Sequence, residues 1–272
     1  MREREWRSKP RSQRRHGGGP RRPYGRPTRA VASDGSGAVV LYGWHTITAA
    51  LANPARRIRR LLATENAIRR LNEEGIELPM APEIVRPDAL AARLTPDAVH
   101  QGLLAEADPL PSPEIEDLAA SGIVLVLDQI TDPHNVGAIL RTAAAFAVAA
   151  IVTTARHSPE ATGVLAKSAS GALEVVPIVA VQNLARAIAT LKERSFLVVG
   201  LDSGGPDDLA AIQMQAPLAL VLGAEGKGLR QGTRAACDRL ARLDLPGAIK
   251  SLNVSNATAL ALYIASQAIG KA

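Results

Sequence analysis

Ile123-Val-Leu-Val-Leu-Asp128-Gln-Ile-Thr-Asp-Pro-His-Asn135-Val-Gly137-Ala-Ile-Leu-Arg141-Thr142 passes from five apolar residues through a polar loop into an amphipathic segment. A short, wholly apolar run fits a strand covered on both faces, as in a parallel sheet. Apolar runs recur at 150–152, 175–179, 197–200 and 218–222, with amphipathic segments at 136–146 and 184–194 and a closing helix over 253–269. Strands alternating with helices predict an α/β fold, a mostly parallel sheet with helices on both faces. Composition agrees. The chain is 47% hydrophobic but only 3% aromatic, so Ala, Val, Ile and Leu must build its core.

Upstream, residues 37–107 read as a small α/β domain. Val39-Val40-Leu41 is a candidate strand, followed by a helix carrying Ile47, Ala50 and Leu51. Residues 59–63 form a second candidate strand, with a helix through Ile68 and Leu71 after it. Short strands are expected at 83–85 and 103–105. Residues 108–120 form a linker, because Pro109, Pro111 and Pro113 cannot join either flanking element. Residues 121–272 form the larger domain.

Residues 1–36 read as a disordered tail. The first 30 residues hold 11 of the 32 Lys and Arg and only Glu3 and Glu5 as acids. The rest carries 21 basic and 24 acidic residues, so the net charge of +6 belongs to the tail. Arg, Gly and the aromatic residues Trp6 and Tyr24 suit phosphate attraction and base stacking. No apolar run reaches the roughly 18 residues of a membrane span. The lone Cys237 suits a reducing cytosol, and cytoplasmic residence is expected.

Three loops follow strand carboxyl ends, where open α/β sheets place ligands. The first is the quoted Asp128–Thr142 segment, with Asn135 placed to cap a helix beginning near Val136 and Arg141 projecting from it. The second is Leu222-Gly223-Ala-Glu225-Gly226-Lys227-Gly228-Leu229, whose glycines permit a tight turn close to a ligand. A phosphate-binding P-loop is disfavoured because Gly228 stands where Ser or Thr must follow the Lys. A dinucleotide fingerprint is disfavoured because this loop follows a late strand. The third is Leu243-Asp-Leu-Pro-Gly247-Ala-Ile-Lys250-Ser251-Leu252-Asn253-Val254-Ser255-Asn256, where either Ser251 or Asn253 could cap the last helix.

Together the three loops resemble the SpoU family of RNA 2′-O-methyltransferases, within the SPOUT superfamily. Lys167-Ser168-Ala-Ser170-Gly171 also looks like family sequence. Tyr42-Gly43-Trp44-His45 and His100-Gln101-Gly102 resemble the family's small RNA-recognition domain, which tilts the substrate toward rRNA, at a guanosine ribose, rather than tRNA. The resemblance implies a trefoil-knotted catalytic domain, S-adenosylmethionine as cofactor, and a homodimer whose active site forms between subunits. It implies catalytic roles for Asn135, Arg141, Glu225, Ser251 and Asn253, and cofactor contacts at Gly223, Leu243 and Leu252. One departure is Leu243-Asp244-Leu245, where members of the family usually show Ile-Pro-Met.

Other classes fit less well. A non-catalytic RNA-binding or assembly factor would share the tail and first domain but need not keep the whole residue set. No metal is expected, since His16, His45, His100, His134 and His157 show no ligand spacing. A Rossmann-type methyltransferase expects glycines where Thr131-Asp132-Pro133-His134 stands.

Overall fold

The computed structural model describes residues 37–155 and 163–270; the tail lies outside them. The first elements are β1 (Val39–Tyr42), α1 (Trp44–Ala52), β2 (Ile58–Ala63), α2 (Glu65–Glu73), β3 (Glu83–Ile84), α3 (Pro87–Ala91) and β4 (Leu103–Ala107). They build a four-stranded sheet in the order β1-β4-β2-β3, antiparallel except for the β2–β3 pair. Thr64 caps α2 by accepting from Ala67 N at 3.3 Å. The sequence reading did not foresee α3, a single turn opened by Pro87 and the acidic Asp88.

The larger sheet follows with β5 (Ile123–Asp128), α4 (Pro133–Ala145), β6 (Ala150–Thr154), α5 (Gly163–Ala169), β7 (Ile178–Val181) and α6 (Leu184–Glu193). It continues through β8 (Leu197–Leu201), β9 (Asp207–Asp208), β10 (Leu218–Gly223), α7 (Gln231–Ala236), β11 (Arg239–Arg242) and α8 (Val254–Ile269). Strand order is β7-β6-β5-β10-β8-β11-β9, and every pairing is parallel. Alternating side chains serve two cores. Val124, Val126, Ala219 and Val221 meet Ile188 and Leu191 of α6 on one face. Leu125, Leu127, Leu220 and Leu222 meet Ile139 and Leu140 of α4 and Leu262 of α8 on the other.

Two expectations change, and two strands are added. The run at 175–179 is not a strand from its start: Ala172–Glu174 forms a 3-10 turn, Val175 is exposed, and β7 begins only after Pro177. Pro177 supplies no N–H for a ladder, which delays the strand. The helix of the first loop starts at Pro133, not Val136, and its cap is Asp132, whose side chain accepts from His134 N at 3.0 Å. A Pro in the first turn needs no N–H partner, so the helix can begin there. Finally, β9 and β11 escaped notice because they are short and polar.

The proline-rich connection is stitched down. Ser112 Oγ donates to Ile178 O and accepts from Ala180 N, both at 3.0 Å. Arg194, capping α6, donates to Ile115 O at 2.6 Å and also to Leu118 O.

Candidate active site

The first two loops lie side by side because β5 and β10 are neighbours, with Asp128 in register with Gly223. From β5 the chain leaves toward β6; from β10 it leaves toward β11, beyond β8. Helix α4 covers one face of the sheet and α7 packs toward α6 on the other. Connections diverging this way open a crevice at the strand carboxyl ends.

A buried carboxylate joins these two loops. Asp128 is fully buried and accepts from Arg230 N (2.9 Å) and Arg230 Nε (2.6 Å). Arg230 immediately precedes α7, so the ion pair fixes the far end of the glycine loop to the strand that begins the first loop. The sequence reading missed the role of Arg230; the only available signal was a carboxylate ending an apolar strand. The glycine loop turns back on itself, with Gly228 N donating to Ala224 O at 2.8 Å. Gly226 and Gly228 have φ of 74° and 64°, in the left-handed region glycine tolerates. A Cβ on Gly223 would collide with the backbone of Gly228 and Leu229. Glu225 stands exposed at the tip.

The third loop crosses to the first. Asn253 caps α8, its Oδ1 accepting from Ser255 N (2.9 Å) and Ser255 Oγ (2.6 Å). Its Nδ2 donates to Asn135 Oδ1 at 3.0 Å. Asn135, expected as a cap, therefore sits inside the first turn of α4 with its side chain held by the third loop. Ser251 lies outside α8 and is exposed. Leu243 is half-buried against the core, whereas Leu252 is 38% and Ile249 77% exposed. Arg141 is exposed on α4, and among the described residues no carboxylate pairs with it.

An adenosine-bearing cofactor suits this surface. From Asp244 to Leu252 no peptide group bonds to another among the described residues; Leu245 O accepts from Lys250 Nζ, and the neighbouring peptide groups are positioned to read a base edge. Leu252 and Ile249 offer uncovered apolar side chains beside them. No group of three or more His, Cys, Asp or Glu arranged to hold a metal occurs among the described residues, and no described helix is long and apolar enough to cross a membrane.

Comparison with known proteins identifies the family. A model of the SpoU rRNA Methylase family matches residues 122–263. A model for RNA 2′-O ribose methyltransferase substrate binding matches residues 40–113. The 23S rRNA (guanosine-2′-O-)-methyltransferase RlmB of Pseudomonas putida is 37% identical over 236 residues, covering 82% of this chain and 94% of that protein. The RlmB of Ralstonia nicotianae is 37% identical over 232 residues, covering 82% and 93%. The crystal structure of the SpoU methyltransferase AviRb from Streptomyces viridochromogenes with AdoMet superposes with a TM-score of 0.73. At 22% identity over 87% of this chain and 94% of that one, it establishes the fold.

Proposed function

Because the chain belongs to the SpoU rRNA methylase family, we propose that it methylates the 2′-hydroxyl of a guanosine in 23S rRNA with S-adenosylmethionine as donor. The observation that carries the reading is the Asn253–Asn135 hydrogen bond, which joins loops 118 residues apart beside the glycine turn. Residues 37–107 serve as the RNA-recognition domain and 121–272 as the catalytic domain, with 108–120 between them. The 23S rRNA methyltransferase relatives support rRNA over tRNA, and an rRNA substrate supports a cytoplasmic location.

Bound S-adenosylmethionine supplies the electrophilic methyl group. Gly223, Leu243 and Leu252 would hold its adenosine and methionine parts with backbone and apolar contacts, while Asn135, Ser251 and Asn253 would orient the target ribose. Arg141 grips the phosphate beside the target nucleotide and stabilises the developing 2′-alkoxide. A guanidinium stays protonated in proteins, so the proton leaves through phosphate or water. Glu225 orders the glycine loop against RNA or the second subunit.

Helix geometry favours a shared site. Arg141 lies six residues beyond Asn135, about 9 Å further along the axis and roughly 240° around it. The two side chains of one protomer therefore diverge, which supports the intersubunit site that the family resemblance implies, with Arg141 working in the site of a second copy. Exposed Leu260 and Tyr263 on α8, which packs against α4, offer the homodimer contact. A trefoil knot fits the chain path, since α8 returns to α4 after the chain has crossed to β11.

The test is methyl transfer from labelled S-adenosylmethionine to unmodified total RNA, with mapping of alkali-resistant bonds. One resistant bond in 23S rRNA is expected. Label confined to tRNA would replace the substrate, and a folded, dimeric protein leaving all RNA unlabelled would turn the reading toward a binding-only factor.

A further inference from the structure

Helix α5 and the 3-10 turn after it, residues 163–174, carry the Lys167-Ser168-Ala-Ser170-Gly171 stretch that the cofactor and ribose contacts leave unused. One side of this segment is bonded to the small sheet and its helix α1. Thr46 Oγ1, buried, donates to Ala166 O at 3.2 Å. Lys167 Nζ donates to Gln101 Oε1 at 2.7 Å, and the same oxygen accepts Trp44 N, at the start of α1, at 3.0 Å. Burial lowers the Lys167 pKa, as expected for an ammonium taken from water to serve a neutral acceptor. Gly171, with φ of 88°, leaves no room for a side chain: a Cβ there would lie 2.8 Å from Ala49 Cβ.

The strongest tie lies at the end of the segment. Glu174 accepts from Arg56 Nη2 at 2.7 Å, from Arg56 Nε at 3.0 and 3.1 Å, and from Asn53 Nδ2 at 2.8 Å. Arg56 Nη1 donates to Asp108 O at 2.7 Å. The two charged side chains are only 2% and 3% exposed. An ion pair this deep, with its hydrogen bonds made, tolerates one arrangement and strongly penalises separation of its partners. The opposite side of the segment meets the first loop. Ser168 Oγ donates to His134 O at 3.3 Å, and the Ser168 side chain fills the space a Cβ on Gly137 would need.

We infer that residues 163–174 form a rigid strut that locks the RNA-recognition domain against the loop carrying Asn135, with Glu174, Lys167 and Gln101 as positioning residues that decide which ribose enters the site. This inference rests on the methyl-transfer reading. RNA bound to the small sheet is then held at a fixed offset from the catalytic loop. Loosening the strut leaves both ligands bound but blurs their alignment, and small misplacements at a reacting centre cost on the order of 10²-fold in rate.

The full chain carrying Glu174→Ala, or Gln101→Ala in case the first variant folds poorly, is assayed on 23S rRNA. Affinities for S-adenosylmethionine and RNA should stay near the parent values. Turnover at saturating RNA should fall between about tenfold and a hundredfold, with label spreading to neighbouring riboses. Gln101→Glu, which still accepts from Trp44 N and Lys167, should restore single-site labelling. Unchanged turnover and a single labelled bond in a folded alanine variant would overturn the strut. If the parent chain itself labels no RNA, the methyl-transfer reading fails, and hydrogen exchange over 163–174 then decides the docking. Faster exchange in the alanine variants supports the lock; equal exchange refutes it.

Discussion

Arg141 is an exposed cation on a helix, which by itself describes a solvated side chain. Its assignment to the reaction comes from its place in the first loop and from the lack of any carboxylate partner among the described residues. Arg141→Ala should lower turnover at saturating RNA by about 10²–10³, the usual loss when one preorganised electrostatic contact is removed, while affinity for S-adenosylmethionine stays unchanged. Arg141→Lys should recover only part of the rate, because a single ammonium lacks the fork that grips phosphate. Steady-state turnover decides it, and near-normal rates for Arg141→Ala would end the assignment. Asn135 shows the limit of reading at this scale. Its residue type and position suited a helix cap, yet Asp132, three residues earlier, takes that role and frees Asn135 for Asn253.

Among the elements, the glycine turn after β10 makes the sharpest demand on its sequence. Gly223 packs against the backbone of Gly228 and Leu229, with Asp128 and Arg230 pinning the turn from the side. Gly223→Ala should push the turn outward at a cost of about 1–3 kcal/mol and weaken S-adenosylmethionine binding by about tenfold to a hundredfold, while far-UV circular dichroism stays that of the parent. Calorimetric titration with the cofactor checks this, and parental affinity would show that the turn does not shape the site. Buried strands of this sheet were legible because five or six apolar residues in a row have few other uses. Segments whose identity depends on a neighbour were not. The strand β11 exists because β8 offers it a ladder, and Val175 lies outside β7 because Pro177 intervenes.

At the scale of the whole molecule, the exposed face of α8 carries the proposed assembly. Leu260 and Tyr263 lie three residues apart on the exposed face of α8, 36% and 55% accessible. If the proposed homodimer forms through this face, replacing both with Asp should convert it to a monomer in light scattering and abolish turnover without unfolding the chain. A monomer with full activity would refute the shared site. The sequence by itself determined the alternating α/β plan, the three loops at strand ends and the residue types those loops carry. Those properties follow from local pattern: apolar runs, glycine at tight turns, polar residues between them. Only the tertiary structure decided that Asn253 meets Asn135, that Arg230 answers Asp128, and that Arg56 and Glu174 lock the small sheet to the large one. Each is a contact between residues more than a hundred positions apart, set by strand order and helix packing, which no local pattern encodes.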